Sequence, residues 1–238
     1  MSAPSLAPWD QKLSKEVVAK EVVPVLTTLL AGGPKEWIKS VSNLLQGSLV
    51  YGFVSALQSE LSRLRDQGKI SQDYFETSQG KATTQELLKE LSSEAFDEKR
   101  LEALRRMFIQ AATAEKEAWQ DTKPVYLMQV IRKLSGTEII ILSVSFDYYQ
   151  KMKVDNQKRS FPIISSAYDW PKTVAAHAVR LNSKLSEGIV SFYENPLIEN
   201  KLIGERTHQD RSGFAQTDSF RLTPLALEIC EYLSNPEP

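Results

Sequence analysis

Between Lys39 and Glu60 the chain carries no charged side chain. A stretch of that length cannot face water all round. It has to be covered on several sides by the rest of the fold, by a partner or by a bilayer surface. Read as a helix, it belongs to a segment from about Lys35 to Arg65, with Pro34 at the first-turn position and Gly68-Lys69 as the break. Its apolar run, Leu44 to Leu57, is interrupted by Gln46 and serines and is too short to span a membrane, so at most it lies on one. Ser48, Gly52 and Ala56 form a small-xxx-small stripe along it. Small side chains let two helix backbones approach closely. Two readings stay open: packing inside a helical bundle, or association with a partner, a second copy or a peripheral membrane surface.

Composition narrows the class. At 238 residues the chain has room for one large domain or two small ones. Hydrophobic residues make up 42% and charged residues 25%, as in globular proteins. The net charge of −1 excludes a chain-wide polyanion-binding surface, so any nucleic-acid contact is a local patch. A single cysteine, Cys230, excludes an intramolecular disulfide and a multi-cysteine metal site. It also fits the reducing cytoplasm, the expected location. The first ten residues lack the basic and apolar regions of a secretion signal. No run of 18 apolar residues occurs, so no transmembrane span is expected. The few glycines and prolines stand mostly at segment edges, which reads as a mainly α fold.

Residues 1–9 read as a flexible tail, 10–134 as a helical region and 135–234 as a second module. In the helical region Asp10 caps a helix to about Leu30 that Pro24 kinks. Residues 70–81 are polar and poorly patterned. Thr83 with Glu86 suggests a capping box that starts a helix bearing Leu87, Leu88 and Leu91. Asp97 caps a helix to about Trp119, with Leu101, Leu104, Phe108, Ala111 and Ala112 at spacings of three and four. Pro124 restarts a helix through Leu134.

The second module opens with another capping box, Ser135 and Glu138, ahead of an apolar helix from Ile139 to Tyr149. Lys151 to Arg159 reads as a charged linker. Helices follow at Lys172–Val179 and Ser183–Glu194. Two short strands, about 201–206 and 217–222, flank a polar tip from Thr207 to Thr217, and Thr223 with Pro224 starts a closing helix. Helix, helix, two strands around a loop, then a helix is the layout of a winged helix with a two-stranded β-wing. In that fold the second helix of the pair enters the major groove and the wing reaches the adjacent backbone.

Motifs of chemistry are sparse. Ser78-Gln79-Gly80-Lys81-Ala82-Thr83 has the shape of the end of a phosphate-binding loop. Phe75 stands where that loop needs its first glycine and Ala82 where it needs Ser or Thr, so the motif is set aside. Ser78 and Lys81 match S-x-x-K without a partner motif. His177 reads as a helix-face residue and not as a catalytic base, His208 as an exposed tip residue and Cys230 as core. Glu115 and Glu117, two apart on a helix, face different ways and make no metal site. No catalytic residue, metal or cofactor is expected, so the chain reads as a non-enzyme.

The candidate contacts for a nucleic acid or a protein partner are Lys172, Arg180, Lys184, Lys201, Arg206 and Arg211, with Arg221 nearby. From 151 to 222 there are 11 Lys and Arg against 8 Asp and Glu, a local +3; the remainder carries 18 against 22. Phosphate contacts supply most nonspecific affinity, and +3 is a small excess for that task. The presumed recognition helix holds Asn182 and Lys184 at its start and no arginine within.

The wing with Leu222-Thr223-Pro224-Leu225 resembles MarR-like winged-helix regulators. It departs from them where Asn195-Pro196 interrupts the third helix and where Ala226 replaces a glycine. Gln85-Glu86-Leu87-Leu88-Lys89-Glu90, then Leu101 to Ala112, then Val125 to Leu142 with its Leu134-Ser135-Gly136-Thr137-Glu138 break, is similar to the helical core of Abi-alpha-type bacterial proteins. That resemblance implies a place in abortive infection and phage defence and supplies no catalytic residues. The expected function is a bacterial interaction or sensor protein acting through partner or self association. The alternative is a DNA-binding transcriptional regulator.

Overall fold

The computed structural model describes residues 49–91, 97–155, 167–210, 213–216 and 220–234. The chain is mainly helical, with eight α-helices among the described residues. Its described residues divide into two compact units, one within 49–132 and the other within 133–234. Among the described residues no helix is long and apolar enough to cross a membrane.

The first unit contains α1 (Leu49–Asp66), α2 (Ser78–Leu91), α3 (Glu98–Thr113) and α4 (Lys123–Ile131). α1 buries Leu57, Leu61 and Leu64, the spacing of one helical face. It ends where Gly68 takes φ +69, a left-handed conformation glycine enters without a Cβ clash, and Lys69 N–H bonds back to Leu64 O. The helix expected before it, from Asp10 to about Leu30, lies outside the described residues.

The segment 70–81 is part of the core, contrary to its polar pattern. A 3-10 turn at Gln72–Glu76 buries Tyr74 and Phe75, and Ile70 is buried just before it. α2 then starts at Ser78, earlier than the expected cap at Thr83. Thr77 does the capping: its Oγ1 accepts from Gly80 N–H at 2.9 Å. Thr83 faces inward instead, 3.0 Å from Tyr74 Oη, and burial pushes the Tyr74 hydroxyl up to about 12. Glu86 accepts from Lys89 at 2.7 Å and from Arg132 at 2.9 Å. A side chain with two cationic partners does not reach back to a helix start, so this capping box does not form.

Asp97 caps α3 as its position suggests, accepting from Lys99 and Arg100 N–H. The helix stops at Thr113, and a 3-10 turn at Lys116–Gln120 carries the chain to α4, with Pro124 in the first turn. α2, α3 and α4 pack against one another. α3 buries Leu101, Leu104, Met107, Phe108 and Ala111, and each large apolar side chain removed from water contributes about 1.5–3 kcal/mol.

In the second unit α5 (Gly136–Asp155) is the central helix. Its capping box forms: Ser135 N–H donates to Glu138 Oε2 at 2.7 Å, and Glu138 N–H donates to Ser135 Oγ at 3.3 Å. The helix extends beyond Tyr149 into the expected linker, because Lys151 pairs with Asp147 one turn back and Met152 is buried. α6 (Trp170–Arg180) and α8 (Pro224–Ser234) pack on α5, and α7 (Glu187–Glu199) packs on α6. Cys230 of α8 is buried with its Sγ 3.6 Å from Leu142 O, and burial pushes the thiol up to about 12.

α7 runs through Asn195-Pro196 rather than breaking there. Pro196 stands in the last turn of α7, where it removes one backbone donor and its ring crowds the carbonyl one turn back, and Asn200 Nδ2 closes the helix end by donating to Pro196 O at 2.9 Å. The strand pairing also lies further out than expected. β1 (Thr207–Asp210) and β2 (Gly213–Gln216) pair antiparallel, Thr207 opposite Gln216. The ranges 201–206 and 217–222 meet at an isolated bridge between Ile203 and Leu222. Thr223 caps α8, its Oγ1 accepting from Ala226 N–H at 3.2 Å.

Candidate interaction surface

α6 and α7 are joined by a tight turn that follows from its residues. Trp170-Pro171 opens α6, where proline is tolerated. Asn182 closes it at φ 55, a conformation asparagine enters more readily than most residues, and Ser183 N–H returns to Ala178 O at 2.9 Å. Ser186 then caps α7 by accepting from Ile189 N–H.

α7 buries Val190, Glu194 and Leu197, one face at spacings of four and three. Its other side places Ile189 and Phe192 in solvent. Phe192 is 74% exposed, and at the end of α6 Val179 is 67% exposed and Leu181 42%. Single exposed apolar residues are ordinary, but four on two adjoining helices and their turn form a pattern seen at interaction sites. α7 contains no lysine or arginine; its charges are Glu187, Glu194 and Glu199.

Behind that helix lies an ion cluster. Glu194 accepts from Arg206 through both carboxylate oxygens, at 2.8 and 2.6 Å, and from Arg221 Nη1 at 2.7 Å. Burial alone would raise the Glu194 carboxyl, but the two guanidiniums outweigh it and hold it below the ordinary range. Arg221 has a fully buried side chain, takes φ 60, donates through Nε to Gly204 O and lies 5.2 Å from the Trp170 ring centre. Arg206 lies 5.3 Å from the ring of Tyr168, and its bond to Glu194 raises its affinity for the proton. The cluster ties α7 to the segments on either side of the hairpin.

The expected contact residues divide accordingly. Lys172, Arg180, Lys184 and Lys201 are exposed, at the start of α6, its end, the turn, and just after α7. Arg206 is engaged with Glu194, and Arg221 is interior. Arg211 lies outside the described residues, as does Ser48; Gly52 and Ala56 fall in α1, with Ala56 exposed. His208 lies in β1. His177 is buried, with Nε2 2.6 Å from Asp147 Oδ2 and its ring 5.2 Å from that of Tyr148. Burial raises the Asp147 carboxyl, and bonds from Lys151 and His177 more than reverse that. Sequence reasoning missed Asp147 as the partner of His177 and Glu194 as the hub of the arginines. The α7 face missed as well had one legible signal, an apolar Ile189-x-x-Phe192 step on a helix already supplied with a buried stripe.

No group of three or more His, Cys, Asp or Glu among the described residues could hold a metal ion. No protein family, curated protein or solved structure matches the chain.

Proposed function

We propose that the chain is a non-enzymatic interaction protein whose second unit is a winged-helix-like module used for self-association. The observation that carries this is the composition of α7. In the position of a recognition helix it offers exposed Phe192 and Ile189 and no basic residue. The favoured occupant of this face is a second copy of the chain. Beside the exposed apolar residues, Arg180 and Lys184 at the turn are basic and Glu187 and Glu199 on α7 are acidic, all four exposed. A two-fold interface must be complementary to itself, and a surface that carries both signs of charge beside apolar residues suits pairing with its own copy. The Abi-alpha-type resemblance supports a phage-defence setting in the bacterial cytoplasm.

Sedimentation velocity of the full chain tests the proposal. The wild type should be dimeric at about 100 μM, and Phe192→Glu should weaken the dimer by at least about tenfold, some 1.4 kcal/mol. A monomeric wild type, or a dimer indifferent to Phe192→Glu, would overturn it.

The DNA-binding alternative retains exposed Lys172, Arg180, Lys184 and Lys201. It predicts duplex binding that weakens by orders of magnitude between about 50 and 200 mM salt.

A further inference from the structure

The face that α7 turns to solvent has an internal order. Gly188, Phe192, Asn195 and Glu199 are all exposed and follow one another at steps of four, three and four, so they form one stripe along the helix. That stripe lies opposite the buried Val190, Glu194 and Leu197. From the helix start it runs from a bare backbone, to a large ring, to a carboxylate.

Gly188 is the first clue. Glycine is a poor helix former, because it gives up more backbone freedom than any other residue. Nothing among the described residues calls for one here. Gly188 lies inside α7 with no positive φ, and a Cβ added to it would meet no atom closer than Ser186 Oγ at 4.0 Å. What a missing side chain does provide is close approach by something from outside.

Phe192 is the second clue. It stands one turn further along the same stripe and is 74% exposed, with its ring edge-on to that of Tyr193 at 5.1 Å. A projecting ring and a bare backbone one turn apart fit each other when the helix meets a copy of itself. A two-fold axis crossing α7 level with Val190 sets each ring on the glycine of the other copy. An axis that crosses the helix in this way makes the two helices antiparallel.

Charge selects the same arrangement. Parallel helices would set Glu187 beside Glu187 and Glu199 beside Glu199, with no lysine or arginine on α7 to offset them. In the antiparallel pair Glu199 stands nine residues from the axis, about 13 Å, whereas the other α7 begins only three residues from it, about 5 Å. Glu199 therefore reaches past that helix start to the turn holding Arg180 and Lys184, both exposed. The positive end of the helix macrodipole favours the carboxylate there as well.

We propose that two copies of the chain pair through antiparallel α7 helices, each Phe192 seated on Gly188 of the other copy and each Glu199 beside its Arg180 and Lys184. This register rests on the self-association reading and specifies it: the partner is recognised by a ring, a glycine and one pair of opposite charges, each used twice.

Sedimentation velocity of the full chain separates the register from association in general. All four substituted positions are exposed, so thermal unfolding should find the variants as stable as the wild type. Gly188→Leu fills the seat and should weaken the dimer at least about tenfold. Glu199→Lys should weaken it about tenfold, because symmetry repeats the contact. Arg180→Glu with Lys184→Glu should do the same, and all three charge reversals together should return to within about threefold of the wild type. A dimer that Phe192→Glu breaks but Gly188→Leu leaves intact would overturn the register while self-association stands. So would a combined variant no tighter than Glu199→Lys alone. A monomeric wild type would overturn both.

Discussion

The two units bury charge differently. In the first, the interior groups are carboxylates: Glu86 and Glu90 are each 2% exposed, and the cations that serve them, Lys89, Arg100 and Arg132, reach in from more open positions. In the second, the interior includes a guanidinium, Arg221, beside buried Glu194, its counter-charge, and buried Glu138. A carboxylate short of partners can take up a proton. Burial pushes the Glu90 carboxyl in that direction, raising it despite the Arg100 bond. A guanidinium has no such escape at any pH a protein survives. The first unit therefore tolerates imperfect pairing, whereas the second depends on one residue.

Glu194→Gln gives the sharpest test of that contrast. It preserves shape, removes the charge shared by two arginines and leaves Arg221 buried without a counter-ion. The expected loss is about 3–5 kcal/mol in denaturant unfolding, the cost of breaking a buried pair from one side. A loss under about 1 kcal/mol would mean that Arg221 is neutralised by other means and would end the comparison.

The sensitive point of the first unit should be steric. Gly80→Ala drives a Cβ into the Tyr74 carbonyl, and overpacking of this kind costs about 1–3 kcal/mol or more. Within the same unit Glu86→Gln should cost about 1–2 kcal/mol, because three side chains donate to it. Glu90→Gln should cost less, within about 1 kcal/mol, because burial works against the charged form of Glu90 and offsets part of what Arg100 contributes.

Acid titration separates the units by degree. Glu194 and Asp147 both have lowered folded values, so their stabilisation is present above the unfolded values, about 4.3 and 3.9, and is lost as pH falls through the folded ones. In the first unit Glu86 is lowered as well, because bonds from Lys89 and Arg132 outweigh its burial. Glu90 is raised, so its contribution is present below the unfolded value and is lost as pH rises through the folded one. Glu102 is lowered too, bonds from Arg105 and Arg106 outweighing its burial, and Glu90 offsets part of what Glu86 and Glu102 contribute. Hydrogen exchange followed peptide by peptide from pH 6 to 3, on the order of the carboxylate range, should show the second unit losing protection more steeply. Equal slopes would refute the contrast. At high pH the buried thiol of Cys230 holds its proton up to about 12, so stability falls as pH rises above the ordinary thiol range, and Cys230→Ala should flatten that slope.

The sequence announced those elements whose signals are local. Asp97, the Ser135–Glu138 pair and Thr223-Pro224 cap real helices because a cap is settled within three or four residues. Segment 70–81 was opaque because Ile70, Tyr74 and Phe75 reach the core through a 3-10 turn, which has no 3.6-residue period. Thr83 and Glu86 imitate a cap, but each has a stronger partner elsewhere. Of the expected contact residues, Lys172, Arg180, Lys184 and Lys201 are exposed, as polar charged side chains in short helices and turns usually are. Nothing local indicates that Arg206 and Arg221 serve a glutamate 12 and 27 residues before them, or that Phe192 faces outward.

That separation sets an order of events during synthesis. α7 emerges from the ribosome with Glu194 lacking both arginines, and until Arg221 follows, its carboxylate has no reason to leave water. The ion cluster cannot form before the last of its hairpin-flanking residues, Arg221, has been made, and α8 follows that residue directly in the chain.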